Sequence, residues 1–225
     1  MLKGTTMSTM KPLKTASWGV GRVTAEAEAR FVAGVAYCER FFMGQAEAQK
    51  ALFKLTAILE AEEIPYAVIG AMALNEYGHR RATVDVDIIL REGDLVAFKA
   101  RHLGRGYVER VPGTGKLLDT EYDVRVDVLS VGRFPSDGQP KPIAFPDPAT
   151  TAIRGPGFAL LPLPRFIELK LASGMSAPHR LHDLADVLDL IRSAELPAQL
   201  ADDLHPFVRD KFKELWNAAQ GEDPY

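Results

Sequence analysis

Helical and strand-like patterns of apolar residues alternate along most of the chain. Apolar residues recur at three- and four-residue steps over residues 24–42 and again over 45–62, which predicts two amphipathic helices. The apolar run at residues 66–69 ends at Gly70 and predicts a buried strand that closes in a tight turn, with a short helix over 71–77 behind it.

Two further segments alternate strictly between apolar and polar residues, which predicts half-buried strands. Over residues 83–90, Val84, Val86 and Ile88 fall on one face, and Thr83, Asp85 and Asp87 fall on the other. Residues 122–129 repeat the pattern with Asp127 on the polar side. Between them we expect a helix over 94–103 and short strands over 107–110 and 116–119. An aspartate on the solvent side of a strand is common, so the alternation alone assigns no function.

The second half of the chain is predicted to be mainly helical. Residues 132–148 are rich in Pro, Gly and Asp and predict a long loop. A short strand over 158–161 and helices over 164–172, 180–194 and 200–219 follow. We therefore expect an irregular lead-in at residues 1–22, N-terminal helices and a core at 23–148, and a mainly helical lobe at 149–225.

Composition is that of an ordinary globular protein. Of the 225 residues, 47% are hydrophobic and 25% are charged, and the net charge of -3 argues against a general nucleic-acid binder, which would be basic. A local basic patch stays open, and its candidates are Arg101, Arg105, Arg110, Lys116 and Arg125.

The cysteine count and the hydropathy pattern predict a reducing compartment and no membrane span. Cys38 is the only cysteine, so no intramolecular disulfide can form, and a reducing, cytoplasmic location is expected. We expect Cys38 to be a small buried apolar residue. No apolar run is long enough to cross a membrane, and the N-terminus lacks the apolar core of a secretory signal.

Asp85 and Asp87 predict a metal site. Residues two apart in a strand face the same way, about 7 Å apart, and two carboxylates among apolar neighbours are costly without a cation between them. Mg²⁺ prefers such oxygen ligands. If the strand that carries Asp127 is adjacent, the three carboxylates can hold two ions roughly 3.5–4 Å apart, as in phosphoryl transfer.

The residues before the strand that carries Asp85 and Asp87 are of types that bind phosphate. The strand-to-helix turn at Gly70 and Ala71 presents free backbone N–H groups, and Arg80 and Arg81 precede the Asp85 strand. A plain turn glycine and a solvated pair of arginines are the simpler alternatives, and both stay open.

Together these residues resemble the core of the nucleotidyltransferase superfamily. A hydrophobic strand ending in Gly70 and Ala71 is followed, at the offset typical of that signature, by the acidic-hydrophobic-acidic triplet of Asp85, Val86 and Asp87. The chain is also similar to small prokaryotic proteins around the AbiEii toxins of type IV toxin–antitoxin systems. Residues 166–172 and 180–186 resemble that group's lysine motif and its helix with a basic residue and two aspartates.

The resemblance implies an α/β (α+β) fold, with a small mixed sheet flanked by helices and a helical C-terminal lobe. It also implies transfer of a nucleotide from an NTP with Mg²⁺. The resemblance implies that Asp85, Asp87 and Asp127 bind metal, and it makes Asp127 a candidate base. In the same way, Gly70, Ala71, Arg80 and Arg81 contact the nucleotide, Lys170 reaches the site, and Asp183 supports Lys170.

Ala71 departs from the family pattern, which often has glycine or serine there. A serine hydroxyl would bind a phosphate and alanine cannot, so a non-catalytic member that binds a nucleotide or a partner is one alternative. The acceptor is also open between a tRNA end and a protein side chain.

Further partners follow from the resemblance and from one apolar helix face. A cognate antitoxin is a candidate partner, and so is a second copy of the chain bound through the helix over 24–42. An aminoglycoside acceptor is another alternative. It requires an acidic cleft, for which Asp119, Glu121 and Asp123 are candidates.

Overall fold

The computed structural model describes residues 25–221. The lead-in predicted for residues 1–22 lies outside the described residues. The chain divides into two units between Ala36 and Tyr37, part-way along the first helix. The sheet, the helices from α2 onward and the candidate site lie in the unit that begins at Tyr37.

Helices and strands alternate through the first half of the described chain. They are α1 (Ala25–Phe42), α2 (Glu47–Ala61), β1 (Ala67–Ile69), α3 (Gly70–Glu76), β2 (Asp85–Leu90), α4 (Glu92–His102), β3 (Tyr107–Glu109), β4 (Lys116–Asp119) and β5 (Val124–Ser130). Residues 131–147 contain neither helix nor strand, as the Pro- and Gly-rich composition predicts.

The second half is mainly helical but contains two short strands near its start. Its elements are α5 (Pro148–Thr151), β6 (Ile153–Arg154), β7 (Ala159–Leu160), α6 (Leu163–Ser176), a 3-10 turn (Pro178–Arg180), α7 (Leu181–Ser193), α8 (Leu200–Asp203) and α9 (Pro206–Ala219).

The strands form one mixed sheet in the order β3-β4-β5-β2-β1-β7-β6. Strand β2 pairs in parallel with β5, and β1 pairs in parallel with β7, whereas the other neighbours are antiparallel. The predicted fold class, an α/β (α+β) fold with a small mixed sheet flanked by helices and a helical C-terminal lobe, is confirmed.

The two faces of the sheet are covered by different helices, and this explains the sequence of β2. Val86 and Ile88 point to one face, where they are buried in a core with residues of α2 and α4. Ile89 points to the other face and packs in a second core with residues of α3, α6, α7 and α9. Asp85 and Asp87 share the face of Ile89, because side chains alternate along a strand. The polar end of β2 thus opens toward the helical lobe.

The last predicted helix is wrong in one respect. A single helix was expected over residues 200–219, but α8 ends at Asp203 and α9 begins at Pro206. Proline lacks a backbone N–H and fits the first turn of a helix, so Pro206 starts a new helix instead of continuing the old one. The His205 ring accepts a hydrogen bond from the Phe207 N–H and caps this new start.

Strand β2 also starts later than its alternation predicts. Val84 was expected on the buried face with Val86 and Ile88, but Val84 lies before the strand and is 53% exposed. Strands β6 and β7 follow residue 148 and extend the sheet formed by the first half of the chain.

Cys38 is exposed, so the expectation of a buried cysteine was wrong. It lies on α1 next to Tyr37, and Phe41 is the residue of this turn that enters the core. Successive helix positions point about 100° apart, so Cys38 is turned off the buried side. No helix within residues 25–221 combines the length and the apolarity that crossing a bilayer requires.

Candidate active site

A pocket of about 460 Å³ lies on the sheet face that looks toward the helical lobe. Its floor, by which we mean Asp85, Asp87 and Asp127, is carried by β2 and β5. Its wall, by which we mean Lys170, Ser173, Arg180 and Asp183, is carried by α6, the 3-10 turn and α7. The other lining residues are Ile69, Gly70, Ala71, Arg81, Thr83, Lys116, Leu129, Pro135, Ser136, Phe145, Phe166, Leu169, His179 and His182.

Strand register places charged side chains in one row across the floor. Asp87 pairs with Asp127 between parallel strands β2 and β5, and Asp127 pairs with Lys116 between antiparallel strands β5 and β4. Directly paired residues face the same side of a sheet. The side chains of Asp87, Asp127 and Lys116 are therefore neighbours, with Asp85 one step along the same face.

Asp87 lies in an unfavourable setting for a negative charge. Burial, together with the negative charges of Asp85 and Asp127, raises the pKa of Asp87 to about 6, although Lys170 and Arg180 oppose the shift. Gly70 lies directly against this carboxylate. A Cβ atom built on Gly70 would be 2.1 Å from Asp87 Oδ2, and the φ angle of +65° also favours glycine there. Glycine at this turn is thus required by the position of Asp87.

Asp127 is held from the side of β4. Lys116 Nζ lies 3.2 Å from Asp127 Oδ2, and Arg110 Nη1 lies 4.0 Å from Asp127 Oδ1. Within the described structure, Oδ1 is buried and accepts no hydrogen bond. On β2, the Thr83 hydroxyl donates to Asp85 Oδ1. Each floor carboxylate therefore has a different set of partners.

These contacts bear on whether the floor suits a divalent metal. Within residues 25–221, no three His, Cys, Asp or Glu side chains stand close enough to form a ready-made metal site. Asp127 Oδ2 faces Lys116, and Asp85 Oδ1 accepts from Thr83. The donor chemistry nevertheless fits a hard cation, because three carboxylates share one face and repel one another at Asp87. The side chains would turn toward one another to hold an ion.

The turn between β1 and α3 leaves backbone donors available. Gly70 and Ala71 begin α3, and Ile69, which precedes them, provides no side-chain cap for the first N–H groups. Uncapped N–H groups at the start of a helix attract anions. Since both residues line the pocket beside the floor, the turn can receive a phosphate from an occupant of the pocket.

The wall is a fully paired network around Lys170. Lys170 Nζ donates to Asp183 Oδ1 at 2.8 Å and to Asp186 Oδ2 at 2.7 Å. The Ser173 hydroxyl and Arg180 Nε donate to Asp183 Oδ2 at 2.7 and 2.8 Å. Burial alone would raise the pKa of Asp183, but the Lys170 ammonium and the hydrogen bonds from Lys170 and Ser173 outweigh it and lower this pKa. Asp183 is thus held ionised.

Arg81 joins the loop before β2 to this network. Its Nη1 lies 2.7 and 2.9 Å from the two carboxylate oxygens of Asp186. Asn75 fixes the backbone of the same loop, because its side chain donates to Arg81 O and accepts from Arg81 N. The cations Arg81 and Lys170 are therefore positioned by one shared carboxylate.

The two arginines of the predicted phosphate site lie in different places. Arg81 lines the pocket, whereas the Arg80 guanidinium lies 5.8 Å from the centre of the Phe42 ring and is not among the residues found to line it. The structure thus brings together Gly70, Ala71, Asp85, Asp87, Asp127, Lys170 and Asp183 with Arg81, and leaves Arg80 outside. The roles assigned to these residues remain predictions.

The acidic cleft expected for a polycationic acceptor does not form among the described residues. Asp119 is fully buried, and its carboxylate lies 2.8 Å from Lys54 Nζ, which also lies 3.0 Å from Glu121. Asp123 is not among the residues found to line the pocket. Asp119 and Glu121 instead tie the β4–β5 turn to Lys54 on α2.

Of the five basic residues considered for a local patch, two approach the floor. Arg110 and Lys116 lie beside Asp127, as described above, whereas Arg101 pairs with Glu62 at 2.8 Å. The five residues therefore do not converge on one surface.

Sequence reasoning assigned no role to Asp186 or Ser173. Asp186 follows Asp183 by three residues, and Ser173 follows Lys170 by three, so each pair shares a helix face. That spacing was the available signal. It did not show that Asp186 also meets Arg81, because the two residues come from distant parts of the chain.

Comparison with known proteins adds little. No protein-family model and no curated protein matches the sequence. The crystal structure of ANT(2″)-Ia in complex with adenylyl-2″-tobramycin is similar over 76% of this chain and 98% of that chain, with 12% identity and a TM-score of 0.44. JHP933 from Helicobacter pylori is similar over 76% of this chain and 88% of that chain, with 12% identity and a TM-score of 0.33. Likenesses this weak do not assign an activity.

Proposed function

We propose that this protein transfers a nucleotide from an NTP to an acceptor hydroxyl with the help of a divalent cation such as Mg²⁺. The observation that carries the proposal is the floor itself. Asp85, Asp87 and Asp127 share one sheet face inside a pocket that Arg81, Lys170 and Arg180 also line. A negative floor opposite positive groups suits a metal-bound polyphosphate better than it suits a neutral ligand.

Asp85 and Asp87 are the proposed metal ligands, with Asp127 beside them. A divalent cation there would neutralise the charge of the phosphates and relieve the repulsion that raises the pKa of Asp87. Above a pH of about 6, Asp87 is ionised and free to bind. Thr83 orients the Asp85 carboxylate through its hydroxyl.

The triphosphate would lie between the Gly70 turn and the wall. Backbone N–H groups at Gly70 and Ala71 face it from one side, and Arg81, Lys170 and Arg180 face it from the other. Because Lys170 and Arg81 are already held by Asp186, little side-chain entropy is lost when a phosphate binds. Ala71 contributes no hydroxyl, so the phosphate contact at this turn is made by the backbone alone.

Asp127 is the proposed general base. Asp127 lines the pocket, and its carboxylate can take the proton of an acceptor hydroxyl. The acceptor oxygen forms a bond to the α-phosphorus, the bond from that phosphorus to the β-bridging oxygen breaks, and pyrophosphate leaves. The proton of the acceptor passes to Asp127.

The acceptor class is proposed from the resemblance to AbiEii-type toxins. A tRNA end or a protein side chain would be the acceptor, and a cognate antitoxin or a second copy of the chain would be the partner. An aminoglycoside acceptor fits less well, because Lys116 and Arg110 lie beside Asp127 and repel a polycation.

A binding-only role is the second candidate, and two observations favour it. Ala71 removes a phosphate-binding hydroxyl, and the described carboxylates do not form a ready-made metal site. In that case the protein would bind a nucleotide or a partner in the same pocket without transferring anything.

The test is a transfer assay with each of the four α-labelled NTPs, Mg²⁺, and either total tRNA or cell lysate as acceptor. We expect label transfer by the wild type, loss of at least about 100-fold with Asp87→Ala, and no loss with Asp203→Ala. Asp203 is an exposed aspartate on α8 and controls for the change in net charge. If the folded wild type transfers no label from any NTP but binds one, the binding-only role is the correct one.

A further inference from the structure

Lys116 is fixed opposite Asp127 by an unusually close strand contact. The Val128 N–H donates to Gly115 O at 2.8 Å, one residue before Lys116. A Cβ atom on Gly115 would lie 2.1 Å from Val128 O, so the backbones can approach this closely only because residue 115 is glycine. The pairing sets the register that brings Lys116 to the end of the floor row.

The Lys116 ammonium already neutralises Asp127. Its Nζ lies 3.2 Å from Asp127 Oδ2, and the Arg110 guanidinium approaches the other oxygen at 4.0 Å. A divalent cation that bound Asp127 would be only a few ångströms from these positive groups. Like charges at such distances repel by about 1 kcal/mol or more even in a watery environment.

The charged groups at the floor also leave little room for a second ion. Asp85, Asp87 and Asp127 supply three carboxylates, and Lys116 and Arg110 place two positive groups beside Asp127. One divalent cation already offsets the remaining negative charge, so a second would add an excess of positive charge to the nucleotide-free pocket.

We propose that Lys116 takes the place beside Asp127 that a second divalent cation would otherwise fill, so that the nucleotide-free protein holds one divalent ion and not two. This inference rests on the proposed function, because it assumes that Asp85 and Asp87 hold the first ion. It also leaves the Asp127 carboxylate free of metal for an acceptor hydroxyl.

The experiment measures Mn²⁺ binding to the nucleotide-free full chain by isothermal titration calorimetry and by the electron paramagnetic resonance signal of free Mn²⁺. The variants are Lys116→Met, which removes the charge, and Lys116→Arg, which keeps it. Lys213→Met is the matched control, because Lys213 is exposed on α9. Lys116 is 53% exposed, so its replacement should leave the fold intact, and thermal unfolding verifies this.

We expect one Mn²⁺ site in the wild type that Asp87→Asn abolishes. Lys116→Met should bind a second ion, or the first about tenfold more tightly, because a nearby positive charge is gone. Lys116→Arg and Lys213→Met should bind like the wild type. Two ions in the wild type, or equal binding by wild type and Lys116→Met, would overturn the inference and leave the proposed function intact. Absence of Mn²⁺ binding in every variant would overturn both.

Discussion

The floor and the wall of the pocket both contain aspartates, but the two sets differ in how their charges are compensated. On the wall, the Asp183 carboxylate accepts from Lys170, Ser173 and Arg180, and its pKa is lowered. On the floor, the pKa of Asp87 is raised to about 6 by burial and by its acidic neighbours. On the wall, the negative charge of Asp183 is compensated by its neighbours. On the floor, the negative charge of Asp87 is not fully compensated.

The difference indicates which region is scaffold and which receives a ligand. A buried carboxylate that is fully paired stabilises the fold, and removing it leaves its partners uncompensated. A carboxylate that is crowded by like charges destabilises the fold until something positive binds, and such groups cluster at functional sites. Substitutions in the wall should therefore mainly lower the stability of the fold. Substitutions in the floor should mainly change activity and ligand binding.

The largest stability effect is expected on the wall. Asp183→Asn should lower the free energy of unfolding by about 3 kcal/mol, because Lys170 and Arg180 lose a buried ionised partner. Asp189→Asn on the same helix should cost less than about 0.5 kcal/mol, since Asp189 is 46% exposed. Urea unfolding of both variants measures this. Equal losses in the two would mean that the wall network is not the source of stability.

The contact between Gly70 and Asp87 should give the next largest effect. Gly70→Ala should cost about 2 kcal/mol, through its positive φ angle and through overlap with the carboxylate. Gly104→Ala measures the cost of the positive φ angle alone, because Gly104 has φ +74° and nothing lies near its Cβ position. In an Asp87→Ala background the two glycine variants should become nearly equal. A difference that persisted there would show that Asp87 is not what restricts residue 70.

Arg81 and Arg80 offer a matched pair for ligand binding. Arg81→Met should weaken binding of a non-hydrolysable NTP about tenfold, because it removes a positioned cation from the pocket. Arg80→Met should change binding less than about twofold, since Arg80 lies over Phe42. Calorimetric titration of both variants decides the matter, and equal weakening would contradict the placement of Arg80 outside the site.

The smallest effect is a gain in stability on the floor. In metal-free buffer at pH 8, Asp87→Asn should be more stable than the wild type by about 1 kcal/mol, because the ionised carboxylate is unfavourable in the fold. Its folded pKa of about 6 lies above the unfolded value of 3.8. Protonated Asp87 therefore contributes its full stabilisation below about pH 4, and this stabilisation is lost as the pH rises through 6. Thermal unfolding measured from pH 4 to 8 should show that the stability advantage of Asp87→Asn over the wild type grows with pH.

The local features of the site could be predicted from the sequence. Period-two alternation placed Asp85, Asp87 and Asp127 on the polar faces of two strands, and the structure puts those strands side by side. Helices were predicted over the segments that contain Lys170 and Asp183, but only the resemblance to nucleotidyltransferases assigned these two residues to the site, and both line the pocket. Such signals are local, because each depends on the backbone geometry of a few consecutive residues.

Contacts between distant segments could not be predicted in the same way. The Arg81–Asp186 pair joins two halves of the chain, and nothing in either segment indicates the other. The role of Lys116 depends on the register between β4 and β5, which the sequence of this hairpin leaves open. Pro206 is an exception, since its effect on the last helix is local and was available from the sequence.

The parallel pairing of β2 with β5 has a consequence for the order of folding. Lys116 and Asp127 lie on adjacent antiparallel strands and can meet as soon as that local hairpin forms. Asp87 can join them only after the segment that contains α4, β3 and β4 has closed into a loop, and closing long loops is entropically costly and slow. We therefore expect the lysine–aspartate pair to form early and the acidic row to be completed late. A cation would then stabilise the finished fold without guiding its assembly.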